Sequence, residues 1–214
     1  MKWLLYINMV MLMLCAQGCK AQCEDFSISE ISDSVWHVMQ GKTYHENPHI
    51  QRSDLRYIRV LHWDYDGKTR RGEMVCNKLI AEDIIDIFRQ LYKAHYPIER
   101  MVLPDNYDAD DERQMRDNNT SCFCYRVVAN SKTLSKHAMG MAVDLNTLYN
   151  PYYRRYPSGK VVIQPTTGKP YCDRSKKFRY KITSDDLACR LFKKHGFTWG
   201  GDWKSHKDYQ HFEK

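Results

Sequence analysis

The sequence lacks the features that divide a chain into several units. Its 214 residues show no shift in composition, no low-complexity stretch and no internal repeat. A chain of roughly 200 residues can bury a hydrophobic core without help from a second domain. We therefore predict a single domain.

Motifs that define several other protein classes are also absent. The sequence has no glycine-rich phosphate loop, no nucleotide-binding motif and no serine-based catalytic triad motif. It has no block of lysine and arginine, and its formal net charge of +7 is spread along the chain. Such a modest excess does not predict nucleic-acid binding. It fits an anionic partner such as a bacterial wall, or a solvated surface without a partner.

A long apolar run lies at the N-terminus. Lys2 precedes apolar residues 3–14, which is typical of a secretory signal and too short to span a membrane comfortably. We predict that residues 1–18 are removed on export to the periplasm or cell envelope. Cys19 leaves two alternatives open: ordinary cleavage after a small residue, or a bacterial lipoprotein site in which lipid on Cys19 is the only attachment to a membrane.

The cysteines predict disulfide bonds. Seven cysteines follow residue 18, and an excess of cysteine in an exported chain usually means disulfides. If Cys19 is acylated, six remain and fifteen pairings are open. No paired C-x-x-C spacing favours a structural zinc site on cysteines.

Hydrophobic periodicity and turn signals predict both strands and helices. Asp66-Gly67 is a strong turn signal between two strand-like runs. The predicted elements are a hairpin of residues 55–65 and 70–76, a helix capped by Asn77 that runs to about Lys93, strands at 98–103, 122–128 and 141–145, an irregular tyrosine-rich segment at 146–170, and a helix capped by Thr183 or Ser184 that runs to Lys194. The acidic stretch after Leu103 lacks the residue order of a helical calcium loop, and we interpret it as a solvated loop.

The stretch SKHAMGMAVD, residues 135–144, contains a candidate metal site. A buried carboxylate such as Asp144 must bind a cation, pair or lose its charge. Gly140 allows a sharp reversal that can bring His137 and Asp144 to one point. His211, in the short run DYQHFE, is the predicted third ligand. Three protein ligands around Zn²⁺ leave one position for water, which is the catalytic arrangement.

Two motifs together resemble a known family. S-x-H-x-x-G-x-A-x-D at Ser135 to Asp144 and D-x-x-H-F-E at Asp208 to Glu213 resemble the zinc D-alanyl-D-alanine carboxypeptidases and L-alanyl-D-glutamate endopeptidases, which share a hedgehog-like zinc peptidase fold and include vancomycin-resistance carboxypeptidases and phage endolysins. The resemblance extends over roughly residues 75–214. It implies that His137, Asp144 and His211 bind zinc and that Asp208 is the general base.

Further site residues are predicted with this resemblance. Arg126 is the candidate for holding the oxyanion or a substrate carboxylate, with a surface arginine as the alternative. His206 is a second candidate for acid–base chemistry, ranked below Asp208. Ser135 and Tyr125 are predicted to contact substrate, Ser135 alternatively bonding near His137, and Glu213 to orient a ligand from behind.

These inferences predict an exported metallopeptidase. The predicted fold is α+β, a single domain with a small antiparallel sheet, flanking helices and the zinc site on the sheet. Residues 19–74 are predicted as an N-terminal extension and hairpin packed on a zinc peptidase domain of residues 75–214. We predict a monomer that cleaves peptidoglycan stem peptides, at either of the two bonds named above, and does not bind nucleic acid. The alternative is a non-catalytic, zinc-containing wall-binding module.

Overall fold

The computed structural model describes residues 25–128 and 132–214, and the predicted signal sequence and Cys19 lie outside them. The helices in the described residues are α1 (Asp33–Met39), α2 (Ala81–Lys93), α3 (Asp111–Arg116) and α4 (Leu187–Lys194). The strands are β1 (Ser27–Ser29), β2 (Leu55–Trp63), β3 (Thr69–Asn77), β4 (Ala142–Asp144), β5 (Tyr152–Arg155), β6 (Val161–Gln164), β7 (Thr198–Trp199), β8 (Lys207–Asp208) and β9 (His211–Glu213). No helix within these two ranges is long and apolar enough to cross a membrane.

The first sheet has the order β1-β2-β3 and contains the predicted hairpin. β2 and β3 pair antiparallel from Leu55 opposite Asn77 to Trp63 opposite Thr69. The turn forms because Gly67 adopts a φ of +73° and the Asp64 carboxylate accepts backbone hydrogen bonds in the loop. The hairpin prediction is confirmed.

Helix α2 packs its apolar face into the main core, as its periodicity predicts. The fully or nearly fully buried side chains on this face are Ala81, Ile84, Ile85, Ile87, Phe88 and Leu91. The predicted cap at Asn77 is wrong, because Asn77 is the last residue of β3 and the helix begins at Ala81. The Asn77 side chain instead donates to Met139 O at 3.0 Å, which ties the end of the hairpin to residues 135–144.

The described residues form two further antiparallel sheets. One has the order β4-β9-β7 and the other the order β6-β5-β8. The main hydrophobic core is built from buried side chains along the described chain, of which Phe26 is the first and Phe212 the last. A smaller core forms around Ile31, Met39 and Phe123. The predicted α+β single domain is confirmed, although residues 25–128 and 132–214 form three small sheets instead of the single sheet that we predicted. The division at residues 74 and 75 stays a prediction.

Several predicted elements are wrong in detail. Residues 98–103 and 122–128 form isolated bridges instead of regular strands. The segment 146–170, predicted to be irregular, contains the antiparallel pair β5–β6. The last helix begins at Leu187 because the Asp186 side chain caps it by accepting from Ala188 N at 2.8 Å. The acidic stretch folds into a 3₁₀ turn at Pro104–Tyr107 and helix α3.

The disulfide prediction is not confirmed. The five cysteines in the described residues are free, and they are Cys76, Cys122, Cys124, Cys172 and Cys189. All but Cys172 are buried, so these thiols pack as small apolar side chains inside the cores. Burial also raises the pKa of Cys76 and Cys122 well above that of a free thiol, which makes them unreactive.

Candidate metal centre and its surroundings

The three predicted ligands lie side by side. His137 Nε2 is 3.2 Å from both Asp144 Oδ2 and His211 Nδ1. His211 Nδ1 is 3.0 Å from Asp144 Oδ1. One ligand atom from each of the three residues therefore fits within a cluster 4.8 Å across, and the two histidines are buried. The structure thus brings together residues that are separated by up to 74 positions in the chain.

Strand pairing explains how two of these side chains meet. β4 and β9 are antiparallel, and Asp144 lies directly opposite His211. Directly opposite residues point to the same side of a sheet, so the carboxylate and the imidazole are neighbours. Ser121 fixes the position of Asp144 from the other side, because the two residues exchange backbone hydrogen bonds of 3.1 and 2.9 Å.

The third candidate ligand, His137, comes from a 3₁₀ turn, Lys136–Met139. Ser135 caps this turn, because its buried hydroxyl accepts from His137 N at 3.2 Å. Gly140 ends the turn with a φ of +65°. A Cβ atom on Gly140 would lie 2.7 Å from Asn77 N, so the close approach of the hairpin excludes any larger residue.

Replacement of Gly140 by alanine is expected to destabilise the fold. The left-handed backbone costs an alanine about 1–2 kcal/mol, and relieving the overlap with Asn77 costs about 1–3 kcal/mol more. Gly159→Ala is the matched control, because Gly159 has a φ of +84° and open space around it. Urea unfolding of both variants measures the difference, and equal losses of stability would contradict the predicted steric conflict.

Two acceptors behind the histidines set which ring nitrogens face the cluster. His137 Nδ1 donates to the carbonyl of Cys122 at 2.6 Å, which leaves Nε2 toward Asp144. His211 Nε2 donates to Glu213 Oε2 at 3.1 Å, which leaves Nδ1 toward Asp144. Partners of this kind orient metal-binding histidines and increase their basicity. Glu213 thus contacts the candidate ligand His211, and its predicted role in orienting a ligand stays a prediction.

The pKa values in the cluster are strongly shifted. Burial alone would raise the pKa of Asp144, but His137 and His211 hold it well below its usual range. Burial alone would lower the pKa of His211, but hydrogen bonds with Asp144 and Glu213 outweigh that effect and raise it to about 10. At neutral pH a proton on His211 therefore balances the carboxylates, and a cation that binds Nδ1 must displace it.

Zinc binding at pH 7 is therefore expected to release at least one proton. The His211 pKa of about 10 means that the ring is protonated before the cation arrives. In the metal-free protein this proton stabilises the fold fully below pH 6.5, and the stabilisation is lost as pH rises toward 10. Calorimetric titration with zinc in buffers of different ionisation enthalpy measures the proton count. A binding enthalpy that is the same in every buffer would contradict the prediction.

Asp208 lies next to the cluster with an unpartnered oxygen. Its Oδ1 is buried and has no hydrogen-bond partner within the described part of the chain. Burial raises the pKa of Asp208, His211 opposes this effect and Asp144 reinforces it, and the result is a pKa of about 7. A carboxylate with that pKa can accept and return a proton near neutral pH.

Two neighbouring segments hold Asp208 in place. Asp208 pairs with Tyr152 across β8 and β5, so the β5–β6 hairpin that the sequence did not predict supports the candidate base. Gly200 lies directly against it: a Cβ atom there would come within 2.5 Å of Asp208 O and 2.8 Å of Asp208 Cβ. Position 200 therefore requires glycine because the backbone and Cβ of Asp208 approach it closely.

The Arg126 guanidinium is ion-paired through Nη2, while its Nε has no hydrogen-bond partner among the described residues. Its Nη2 is 2.7 Å from Asp111 Oδ2, whereas its Nε is buried without a hydrogen-bond partner in residues 25–128 and 132–214. Burial alone would lower its pKa, but the charges of Asp111, Asp144 and Asp208 raise it, so the guanidinium stays charged. Ser135 N donates to Arg126 O at 3.1 Å, so Arg126 lies beside the turn that carries His137.

The remaining predicted residues are less directly connected to the cluster. His206 Nδ1 bonds to Ser205 Oγ at 2.8 Å, and its ring contacts Trp203 at 4.8 Å between centroids. Trp203 in turn contacts His211 at 5.4 Å, so the two rings form a partly exposed aromatic edge beside a ligand. Tyr125 packs against the smaller core. Substrate contacts of Tyr125 and Ser135, and catalysis by His206, stay predictions.

Sequence reasoning missed the residues that support the site. Asp111 was interpreted as part of a solvated acidic loop, and the carbonyl of Cys122 has no signature in the sequence. Gly200, in the run GFTWGGDW, was not among the predicted site residues. A glycine pair eight residues before a candidate base could have suggested a close backbone approach.

A comparison with protein families supports the resemblance inferred from the motifs. A family model described as D-alanyl-D-alanine carboxypeptidase matches residues 129–214, which include His137, Asp144, Asp208 and His211. The resemblance is confirmed over these residues. The match begins later than residue 75, where we placed the start of the resemblance. No solved structure is significantly similar to the chain.

Proposed function

We propose that this protein is a zinc-dependent peptidase that hydrolyses peptidoglycan stem peptides. The observation that supports this proposal most directly is the meeting of two histidines and one aspartate beside a carboxylate with an unpartnered buried oxygen. The match of residues 129–214 to D-alanyl-D-alanine carboxypeptidases supports the same reaction class. We also propose that the protein acts outside the cytoplasm, because the N-terminal run resembles a secretory signal and the wall is located there.

The donor atoms fit zinc in type and in spacing. Zinc binds imidazole nitrogen and carboxylate oxygen at about 2.0–2.2 Å in tetrahedral geometry, which places neighbouring ligand atoms roughly 3.3–3.5 Å apart. The separations of 3.0–3.2 Å between His137, Asp144 and His211 are close to this spacing. His137 Nε2, His211 Nδ1 and one Asp144 oxygen would hold the ion.

The residues around the cluster suggest a division of roles. When bound, zinc acidifies water and polarises a carbonyl oxygen. In the proposed reaction the Asp208 carboxylate takes a proton from the attacking water and passes it to the leaving amine as the peptide bond breaks. Arg126 donates to the negative charge that develops on the carbonyl oxygen, or to a carboxylate of the substrate. Glu213 and the Cys122 carbonyl keep the two imidazoles in the required orientation.

The bond that is cleaved defines two versions of the proposal. The family description names D-alanyl-D-alanine carboxypeptidase activity. In having an aspartate as its candidate general base, the chain instead resembles the L-alanyl-D-glutamate endopeptidases. Both reactions need the same ligands and the same base, and they differ in which bond of the stem peptide is broken.

Incubation with purified muropeptides tests the proposal and separates these versions. The protein is loaded with zinc, incubated with tripeptide, tetrapeptide and pentapeptide muropeptides, and the products are analysed by mass spectrometry. Loss of a terminal D-alanine would identify a carboxypeptidase, and separation of L-alanine from D-glutamate an endopeptidase. Asp208→Asn, loaded with zinc in the same way, serves as the inactive control. A zinc-loaded wild type that binds muropeptides without cleaving them would overturn the enzymatic proposal in favour of a wall-binding module.

A further inference from the structure

The acidic helix α3 contains a side chain that holds Arg126. Asp111, the first residue of α3, accepts from Arg126 Nη2 at 2.7 Å through Oδ2. Its other oxygen, Oδ1, accepts from Gln114 Nε2 at 2.9 Å. Both carboxylate oxygens are thus used, and the side chain is about 30% exposed. The orientation of Asp111 is therefore fixed from two sides.

Gln114 links this pair to the strand of a metal ligand. Its side chain is buried, and its Oε1 accepts from Ser121 Oγ at 3.1 Å and from Asn119 Nδ2 at 3.3 Å. Ser121 exchanges two backbone hydrogen bonds with Asp144. A continuous series of hydrogen bonds therefore runs from Arg126 through Asp111, Gln114 and Ser121 to the backbone of Asp144.

The anchored guanidinium keeps a donor free. A buried donor without a partner costs about 1–3 kcal/mol, and Arg126 Nε is such a donor within the described residues. This free donor indicates a ligand that supplies the missing acceptor. Besides Asp111, the carboxylates of Asp144 and Asp208 also interact electrostatically with Arg126. If Arg126 turned onto either, it would neutralise a metal ligand or the candidate base.

We propose that Asp111, supported by Gln114, is a positioning residue that holds Arg126 away from Asp144 and Asp208 and directs its free Nε–H to an anionic oxygen of the peptide substrate. The inference rests on the proposed function and goes beyond it, because it assigns a role to the acidic segment. The anionic oxygen is either the oxyanion formed at the scissile carbonyl or a carboxylate of the substrate. A carboxylate at position 111 fits this role because it pairs with a guanidinium with defined geometry.

Kinetics of four variants test the proposal. Asp111→Asn removes the charge and keeps the size, and a misplaced Arg126 is expected to lower kcat/KM about 10- to 100-fold. Asp111→Glu, which keeps the charge, is expected to recover part of the activity. Arg126→Ala and the double variant Arg126→Ala/Asp111→Asn complete a cycle. In the Arg126→Ala background, Asp111→Asn is expected to change kcat/KM less than twofold, because Asp111 acts through the Arg126 side chain.

The matched control is Asp108→Asn. Asp108 lies in the same acidic segment, and its carboxylate pairs with Lys42 and Arg113 at the surface. Zinc content and urea unfolding are measured for every variant, since a purely structural role would lower stability or zinc content together with activity. A loss mainly in kcat identifies the oxyanion as the partner of Arg126, and a loss mainly in KM identifies a substrate carboxylate.

Two outcomes would overturn the inference. The first is an Asp111→Asn variant as active as Asp108→Asn, and the second is an undiminished effect of Asp111→Asn in the Arg126→Ala background. A binding experiment separates this inference from the proposed function. Muropeptide affinity is measured by calorimetry in the zinc-loaded Asp208→Asn background, with and without Asp111→Asn. If the wild type cleaves no muropeptide, the proposed function fails. In that case, equal muropeptide affinities with and without Asp111→Asn would overturn the role of Asp111 as well.

Discussion

Asp208→Asn is expected to lower kcat/KM for stem-peptide hydrolysis by roughly 10²- to 10⁴-fold, the usual contribution of a positioned general base. Asparagine has the same shape as aspartate but cannot accept the proton of the attacking water. Because His137, Asp144 and His211 are unchanged, the variant should still bind one zinc ion. Product formation is measured by chromatography of muropeptides, and zinc by elemental analysis.

The pH dependence provides a second measure of the same residue. Asp208 must be ionised to act as a base, so the rate should rise with pH through its pKa. That pKa is about 7 without a metal ion, because burial raises it, and the positive charge of zinc should move it lower. The wild type should therefore show an acidic limb at or below pH 7 in its kcat/KM profile, and Asp208→Asn should lack it.

An exposed aspartate close in sequence is the control for this variant. Asp202 is ion-paired with Lys193 at the surface, at 2.7 Å, and its side chain is 53% exposed. Asp202→Asn should leave the rate and the acidic limb unchanged. If Asp208→Asn retained wild-type activity at neutral pH with zinc bound, Asp208 would not be the base, and His206 would be the next residue to test.

Loss of any one of the three ligands is expected to abolish both zinc binding and hydrolysis. Removing His137, Asp144 or His211 leaves two ligands, fewer than the three or four by which proteins hold zinc. Removing one partner of this buried cluster also leaves charges uncompensated, which typically costs about 3–5 kcal/mol of stability. Dialysis against a zinc buffer followed by elemental analysis measures retention of the ion, and circular dichroism verifies that each variant is folded.

Glu213→Gln is expected to weaken zinc binding without abolishing it. The glutamine can still accept a hydrogen bond from His211 Nε2, but without the negative charge that strengthens it. Loss of such a supporting partner typically weakens metal affinity about 10- to 100-fold. His37→Ala is the control, because His37 is an exposed residue of α1. Full zinc retention by His211→Ala would contradict the assignment of the site, and unchanged affinity in Glu213→Gln would contradict the supporting role of that carboxylate.

The acidic segment shows where pattern reasoning stops. Residues 104–117 are polar and rich in aspartate, and polar stretches of this kind are most often solvated loops. In the structure Asp105 is buried and accepts from the hydroxyl of Thr43 at 2.8 Å, while Asp111 pairs with Arg126. A buried acidic residue depends on partners that are distant in the chain. The composition of the segment alone does not reveal them.

The cysteines show that their number and the predicted compartment do not decide whether they pair. An exported chain with many cysteines predicts disulfides by compartment and number. Pairing, however, requires Cβ atoms about 3.5–4.5 Å apart and suitably directed. Cys76, Cys122 and Cys189 are all buried in the main core, yet they are free thiols. Which thiols pack as apolar side chains is decided by the tertiary fold, because it fixes those distances.

The sequence by itself determined the candidate ligands, their order and the hairpin of β2 and β3. His137, Asp144, Asp208 and His211 stand in two short motifs, and periodicity and turn chemistry act within a few residues. Only the tertiary structure decided what surrounds these residues. The pairing of β4 with β9, the support of Asp208 by the β5–β6 hairpin and Gly200, and the contact between Asp111 and Arg126 all join distant parts of the chain. Such contacts form because the shared core brings the segments together, and no local pattern specifies them.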